Sequence, residues 1–457
     1  MKKIFLLQAL IIFCSYSHSQ TTGKWISLFD GKTLNGWKKG AGNAEYKVEN
    51  GAIIGTTVMP SPNSFLVTEK EFENFVLELE AKIDDTTSNS GIQIRSHLDP
   101  SANNGQVKVY GYQYELDPSS RRWTGGIYDE GRRDWLYPLS LNHDAQNAFK
   151  LGVYNKIKVE CFDNTIKTWI NGEPSAMLVD TFDQKGFIGL QVHAISKAED
   201  AGKKVYFKNI RLMSITKPSA DFPKSVYVMN NIPNTLTGYE KNQGWRLLFN
   251  GVDSKGWKAA YKDNFPEHGW VIKDGILTVL SSEGKEGGVG GDIVTIDQYS
   301  TFDLSFDFKL TTGANSGVKY FVKLTEHNEG SAIGLEYQIL DDKVHPDAKL
   351  GRDGDRTLAS LYDLIPAQKQ ERFVHPIGQW NTGRIIVYPN NHVEHYLNGV
   401  KVLEYERGSK AYRDLVAISK YKIWDHFGEA PKGHILLQDH GNEVSFRSIK
   451  IREILNH

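Results

Sequence analysis

The residues best suited to chemistry fall on the polar sides of predicted strands in the second half of the chain. Lys319, Glu336, Gln338, Gln438 and His440 each alternate with apolar residues that should point into a core. If these strands are neighbours, one sheet face carries a cation, a carboxylate, amides and an imidazole. Such groups suit a hydroxyl-rich ligand such as a sugar, although an ordinary solvated sheet face is an equal alternative.

The first half of the chain offers a parallel set on its own predicted strands. It consists of Arg95, Gln113, Glu115, Gln191 and His193, with Gln93 beside them. Solvated faces favour Lys, Glu and Thr, whereas both sets are rich in amides and end in a histidine. The repetition therefore favours a ligand site over plain solvation without excluding the latter.

The two sets belong to two copies of one unit. Trp25, Leu28, Phe29 and Gly31 recur in order as Trp245, Leu248, Phe249 and Gly251, and the run from Asn89 to Gly91 recurs from Asn315 to Gly317. The spacing then jumps before the last shared motif, so the second copy contains an extra segment. The predicted divisions are a first domain over 22–214, a linker over 215–240 and a second domain over 241–457.

Strands dominate both copies. The run from Phe75 to Ile83 alternates between apolar and charged residues, and so does the run from Phe302 to Leu310. Many such runs between Gly, Asn and Asp turns predict two packed antiparallel sheets in each copy, an all-β sandwich or jelly roll. The linker assignment rests on prolines at 218, 223 and 233 and on the lack of periodicity.

Composition narrows the class of protein. Lys and Arg total 54 against 55 Asp and Glu, which argues against a nucleic-acid partner. Lys2 and Lys3 precede a short apolar run and small residues, which predicts a signal peptide over 1–19 and export to the periplasm or medium. Lipidation at Cys14 is the less favoured alternative, and no stretch is long enough for a membrane span. Cys161, in a strand-like run, is predicted to be a core residue.

Several motifs together resemble a known family. They are LFNGVDSKGW, ANSGV, GLEYQILDD, WNTGRIIVYPNNHVEHYLNG and GHILLQDHG, which span nearly all of 243–455. This part resembles the DUF1080 family, described as 3-keto-disaccharide hydrolase domains. Residues 23–214 resemble a more divergent member, with Val192 where the second copy has Asp439.

The resemblance implies two tandem concanavalin A-like jelly-roll domains in an exported protein that cleaves 3-keto-glycosides. In that chemistry a base removes the C2 proton, an electrophile stabilises the enolate, the C1 group leaves and water adds. A histidine titrates near neutral pH, so His440 is the first candidate for the base and Glu336 the second. Lys319 or a divalent metal ion would stabilise the enolate, and no other cofactor is required. The residues expected to hold the substrate are Asn315, Gln338, Gln438, Asp439 and Tyr362.

A tandem carbohydrate-binding protein without catalysis is the competing hypothesis, because this fold also serves lectin-like modules. Two copies would then raise avidity. In a third possibility the second copy is catalytic and the first copy positions the substrate. Turnover of an oxidised glycoside would separate the catalytic hypotheses from the binding one.

Overall fold

The structure is a computed structural model that describes residues 23–102, 106–218, 222–324 and 332–454. Within these ranges the chain is predominantly β-structure, in two sandwiches that coincide with the two sequence copies. The predicted signal peptide over 1–19 and Cys14 lie outside the described residues. No helix among the described residues is long and apolar enough to cross a membrane.

The first copy and the segment after it contain strands β1 to β16 and a short helix. The strands are β1 Ile26–Ser27, β2 Trp37–Ala41, β3 Glu45–Glu49, β4 Ala52–Thr56, β5 Ser64–Phe72, β6 Phe75–Ile83, β7 Ser90–Asp99, β8 Lys108–Leu116, β9 Ile127–Glu130, β10 Asp134–Tyr137, β11 Asn155–Phe162, β12 Thr165–Ile170, β13 Glu173–Val179, β14 Gly186–Val192, β15 Lys204–Ser214 and β16 Val228–Asn230. Helix α1 is His143–Gln146, and 3₁₀ turns cover Leu139–Leu141 and Ala198–Asp200.

These strands form two sheets. A nine-stranded sheet has the order β16-β13-β12-β11-β6-β15-β4-β3, with β1 paired to β15. A seven-stranded sheet, here called the first site sheet, has the order β10-β9-β8-β7-β14-β5-β2. Apolar side chains from both sheets, such as Leu77 on β6 and Ile92 on β7, meet in one buried core. This is the β-sandwich that the period of two predicts.

In the described residues the second copy repeats the arrangement with thirteen strands and one α-helix, and a further short α-helix leads into it from the segment between the copies. The strands are β17 Arg246–Leu247, β18 Trp257–Ala259, β19 Trp270–Lys273, β20 Ile276–Val279, β21 Ile293–Thr295, β22 Phe302–Leu310, β23 Asn315–Lys323, β24 Ile333–Leu340, β25 Asn381–Val387, β26 His392–Leu397, β27 Val400–Glu406, β28 His434–Leu437 and β29 Val444–Glu453. Helices are α2 Gly238–Asn242 and α3 Lys410–Ile418, and 3₁₀ turns cover Pro346–Lys349, Glu371–Phe373 and Lys420–Ile423.

The second sandwich also has two sheets. An eight-stranded sheet has the order β19-β20-β29-β22-β25-β26-β27, with β17 paired to β29. The second site sheet is five-stranded, in the order β18-β21-β28-β23-β24. Its core joins Leu304 and Phe306 of one sheet to Val318 and Tyr337 of the other. The fold is therefore all-β, two tandem jelly-roll sandwiches, as the sequence predicts.

The segment between the copies is packed against both of them. Strand β16 pairs in parallel with β13 of the first copy, and Thr237 and Glu240 form a reciprocal capping box on α2. The Tyr137 hydroxyl donates to the Tyr227 carbonyl at 3.1 Å, while the guanidinium of Arg384 lies 4.1 Å from the Tyr227 ring centroid. Lys450 of the second copy donates to Glu240 at 2.6 Å. The segment thus fixes the two sandwiches to each other.

Cys161 lies on β11 with no exposed surface and forms no disulfide. Desolvation by burial raises the pKa of its thiol to about 12. The prediction that it is a core residue is confirmed.

Candidate functional site

Antiparallel pairing on the second site sheet brings the predicted polar residues together. Lys319 on β23 is directly opposite Glu336 on β24, and Gly317 is opposite Gln338. Strand β28 pairs with the other side of β23 and leads into the final motif. The polar side chains of these strands line a cavity of about 160 Å³, namely those of Asn315, Lys319, Glu336, Gln338, Gln438 and His440.

Gly317 makes room for the carboxylate. A Cβ atom at this position would lie 2.3 Å from Oε1 of Glu336, so an alanine cannot occupy it without moving that side chain. The run from Asn315 to Gly317 opens strand β23 and is not the turn that such a run most often makes. The neighbouring Ser316 hydroxyl donates to the Gln438 carbonyl at 2.8 Å, which ties β23 to the start of the last motif.

The floor of the cavity holds a buried cation and a buried carboxylate. Lys319 is 4% exposed and Glu336 is 5% exposed. The Lys319 ammonium donates to the Ala332 carbonyl at 3.2 Å, and with its amide turned to satisfy its neighbours Gln338 donates to Glu336 at 3.3 Å. Desolvation by burial raises the pKa of nearby Asp292 to about 6, against the opposing effect of the Lys319 charge. Charge in this region is therefore held in a poorly solvated setting.

One wall of the cavity comes from the segment that only the second copy contains. The 3₁₀ turn after α3 supplies Lys420 and Tyr421, and Trp424 follows. The Lys420 ammonium lies 4.1 Å from the Tyr362 ring centroid, and its backbone N–H donates to Asp363 at 2.7 Å. Although the Lys420 side chain as a whole is exposed, desolvation of its ammonium lowers its pKa, with Glu336 opposing and Lys319 reinforcing the shift. Strand alternation does not predict this wall, and the unmatched length of the second copy is its one signal in the sequence.

His440 sits at the cavity mouth. Its side chain is 33% exposed, and Nε2 lies 4.0 Å from a Glu286 carboxylate oxygen. The centroid of the His345 ring lies 6.1 Å from that of His440. Desolvation by burial lowers the pKa of His345, and the nearby His440 lowers it further. His440 is thus accessible to solvent and to the outer part of a bound ligand.

Two predicted ligand-binding residues have different surroundings. Tyr362 lines the cavity and donates its hydroxyl to Asp347 at 2.8 Å. Asp439, which is 1% exposed, accepts the backbone N–H groups of Gly291 at 2.9 Å and Gly441 at 3.0 Å. Backbone donors thus hold this carboxylate, and Asp439, unlike Tyr362, is not among the residues that line the cavity.

Arg95 is also misplaced by strict alternation. Its φ of 50° puts it in the left-handed region, and the pairing of β7 with β8 shifts register between Ile94 and His97. The Arg95 side chain therefore turns inward and donates to the carbonyls of Glu73 at 2.8 Å and Asp163 at 2.7 Å. The second copy has the same irregularity at Phe321, whose φ is 53° and whose side chain joins the core.

The other predicted residues of the first copy share a second cavity of about 360 Å³, which is lined by Gln113, Glu115, Gln191 and His193 among others. Desolvation by burial raises the pKa of Glu115 to about 7 and lowers the pKa of His193. Each copy thus places a polar cavity on its site sheet.

A metal site was left open by the sequence. Among the described residues, the group of ligand-type side chains close enough to hold an ion is His392, Glu394 and Glu404, which is outside both cavities. The Lys401 ammonium already lies 3.1 Å from Glu394 and 2.5 Å from Glu404. The charge of this group is therefore compensated within the protein. His395, three residues along, is fully buried and lies 2.9 Å from the Tyr320 hydroxyl.

Comparisons with known proteins agree with the duplication. Residues 24–213 and 244–452 both match the model of a family described as the 3-keto-α-glucoside-1,2-lyase-like domain. A 3-keto-disaccharide hydrolase of Bacteroides thetaiotaomicron is 36% identical over 230 residues, which cover 46% of this chain and 78% of the relative.

Two crystal structures from Parabacteroides distasonis, of proteins described as candidate glycosyl hydrolases, are also similar. The first is 31% identical, with a TM-score of 0.42 over 49% of this chain and 100% of its own. The second is 28% identical, with a TM-score of 0.35 over 46% of this chain and 99% of its own.

Proposed function

The chain belongs to the 3-keto-α-glucoside-1,2-lyase-like domain family in both of its copies, and from that premise we propose that its second copy cleaves glycosides whose sugar is oxidised to a ketone at C3. The name of the Bacteroides relative supports this substrate class. The observation that carries the proposal is a buried carboxylate, Glu336, opposite a buried lysine, Lys319, in an amide-lined cavity.

A ketone at C3 makes the neighbouring C2 proton acidic. When a base removes that proton, its electron pair moves to the C3 oxygen as an enolate, and the group at C1 departs as the enolate collapses. Water added to the resulting unsaturated ketone completes a net hydrolysis. This route needs one base and one electrophile, whereas ordinary glycosidases use a pair of carboxylates beside the glycosidic bond.

Glu336 is the residue we assign as the base. It lies on the floor of the cavity opposite Lys319, and its charge also acts on Lys420 at the wall. Lysine ammonium groups on this side of the cavity can stabilise an enolate oxygen as it forms. Lys319 therefore receives the role of electrophile, with Lys420 as a second cation.

His440, the first candidate from sequence, lies at the mouth beside Glu286. That position suits a donor of the proton that the departing C1 oxygen takes up, and we assign it this role. Tyr362, Tyr421 and Trp424 offer apolar ring faces for the sugar, and the amides of Asn315 and Gln438 can hold its hydroxyls.

Release of nitrophenol from a nitrophenyl 3-keto-α-glucoside and from its unoxidised form tests the proposal. We expect turnover of the oxidised substrate alone, and a substrate deuterated at C2 should react more slowly because the C2 proton is lost in the reaction. Turnover of the unoxidised glucoside at an equal rate would contradict it. A parallel assay with chelator decides whether an added divalent ion takes part.

Site variants assign the roles. Removal of a general base typically costs ~10²–10⁴-fold in rate, so Glu336→Gln should lose activity in that range. His440→Ala should lose less with a nitrophenyl leaving group, which needs little protonation. The matched control is His193→Ala in the first copy, for which activity should stay at the wild-type level.

Export is part of the proposal. Positions 1–19 contain two lysines, then an apolar run and then small residues, and this order supports a secreted or periplasmic protein.

A further inference from the structure

The cavity of the first copy has the same place on its sheet as the catalytic cavity but a different chemistry. Gln93 is opposite Gln113 in the pairing of β7 with β8, where the second copy has Lys319 opposite Glu336. The carboxylate of the first copy, Glu115, is shifted two residues along its strand and lies opposite Gly91. The first copy thus has Gln93 at the position where Lys319 would stabilise an enolate in the second copy.

The substituted amides are held by one another. Gln93 donates to Gln113 at 2.5 Å, and Gln113 donates to Glu115 at 2.9 Å. The Ser96 hydroxyl donates to Oε1 of the Gln93 side chain at 2.7 Å, and the Asn89 amide donates to Glu115 at 2.8 Å. This ladder fixes the floor of the cavity and leaves no free base in the position that Glu336 occupies in the second copy.

Several polar atoms around this cavity nevertheless have no partner. Buried atoms without a hydrogen bond include Oδ1 of Asn89, Nη1 of Arg121, Nε1 of Trp135 and Oε1 of Gln191, and all four residues line the cavity. Gln191 has no exposed surface and Trp135 is 9% exposed. A buried polar group without a partner is unfavourable, so a concentration of such groups in one cavity points to a ligand with several hydroxyl groups.

The second copy completes the cavity. Arg372, which lines it, belongs to the 3₁₀ turn Glu371–Phe373 of the second copy. The next residue, Phe373, is buried in the core of the first copy, with its ring 5.4 Å from Trp123 between centroids. Asn398 donates to the Phe373 carbonyl at 2.7 Å. Packing of Phe373 therefore holds Arg372 at a site that the first copy could not build alone.

We propose that the first copy binds a neutral sugar unit without cleaving it, in a composite site that Arg372 of the second copy completes. Trp135 and Tyr128, with rings 5.4 Å apart, supply an apolar face beside the unpaired donors and acceptors. Arg121 is already paired with Asp117 at 2.8 Å, and Glu115 and Glu130 also line the cavity. An anionic sugar would meet these carboxylates, so the ligand class is a neutral glycosyl group, whether oxidised or not.

Calorimetric titration of the full chain with maltose, trehalose and sucrose tests the composite site, with glucuronate as the anionic control. We expect at least one of the neutral disaccharides to bind and glucuronate not to bind. Gln191→Leu should weaken that binding at least tenfold, and Arg372→Ala, an exposed change that leaves the core intact, should weaken it severalfold. The matched variant Gln438→Leu in the second copy should leave it unchanged.

If none of the three disaccharides binds, the inference is wrong. It is also wrong if a disaccharide still binds to the Gln191→Leu variant but no longer binds to the Gln438→Leu variant. Turnover of the 3-keto-glucoside should be unaffected by Gln191→Leu, and a loss of turnover there would assign catalysis to the first copy. The inference rests on the proposed function only in placing catalysis in the second copy. If that function fails, no variant turns over the oxidised substrate, while the titration still reports on this site.

Discussion

Replacement of Gly317 by alanine should displace the Glu336 carboxylate while leaving the sheet nearly as stable as in the wild type. The added Cβ would lie 2.3 Å from Oε1 of Glu336 and 2.9 Å from its Cδ, so the carboxylate has to move by about 1 Å to restore an ordinary contact of at least 3.4 Å. Gly317 lies within β23, and the three atoms nearest the added Cβ, which are Oε1, Cδ and Cγ of Glu336, all belong to one side chain and not to the backbone. The cost in folding free energy should therefore be small, at the low end of ~1–3 kcal/mol for overpacking.

The catalytic cost should be large by comparison. A misplacement of about 1 Å in a reacting group can reduce the rate ~10²-fold. The assay is kcat/KM for the nitrophenyl 3-keto-α-glucoside, with the thermal midpoint measured on the same preparation. Gly91→Ala is the matched control, because its Cβ would lie 2.3 Å from Cδ of Gln113 in the first copy. Gly91→Ala should lower the thermal midpoint by a similar amount and leave kcat/KM unchanged.

Two results would refute this reasoning. If Gly317→Ala folds and keeps the wild-type kcat/KM, the position of Glu336 does not matter for the reaction. If Gly91→Ala loses as much activity as Gly317→Ala, the loss reflects a general disturbance of the fold.

Three further predictions concern charge and processing. Lys319→Met should lower kcat about 10²–10³-fold, as loss of one oxyanion donor does, whereas Gln93→Met should leave kcat unchanged; equal losses in both would contradict the role of Lys319. Burial raises the pKa of Glu115 from 4.5 to about 7, so the folded state binds more protons in that window and the free energy of unfolding should fall as pH rises through it, by on the order of 3 kcal/mol. Urea titrations at pH 5 and 8 should show a flatter dependence for Glu115→Gln, and an unchanged slope would contradict the shift. Mass spectrometry of the exported protein should find Gln20 as the first residue, and a lipid-modified Cys14 would overturn that prediction.

Much of the cavity of the second copy could be predicted from strand alternation. A period of two assigns Lys319, Glu336 and Gln338 to one face, and the paired strands place them in one cavity. Alternation fails where the backbone enters the left-handed region, as it does at Arg95 and at Phe321. Arginine and phenylalanine are not residue types that favour the left-handed region, so the sequence does not predict the inward turn of Arg95.

Long-range packing accounts for the remaining differences. Lys420 follows a short helix that packs against β27 through the stacked rings of Tyr412 and Tyr405, a tertiary contact that no local pattern encodes. Arg372 reaches the other copy because Phe373 fits beside Trp123. The prolines and the missing periodicity of 215–240 predict a linker, but no local pattern predicts that Tyr227 packs against both sandwiches.

We propose that the second copy eliminates the C1 group of a 3-keto-glycoside with Glu336 as the base. Release of nitrophenol from the 3-keto-α-glucoside by wild-type protein and by Glu336→Gln is the direct measurement, with solubility and thermal midpoint matched. We predict rapid release by the wild type, a loss of about 10²–10⁴-fold in the variant, and no release from the unoxidised glucoside. Equal rates for wild type and Glu336→Gln would contradict the claim.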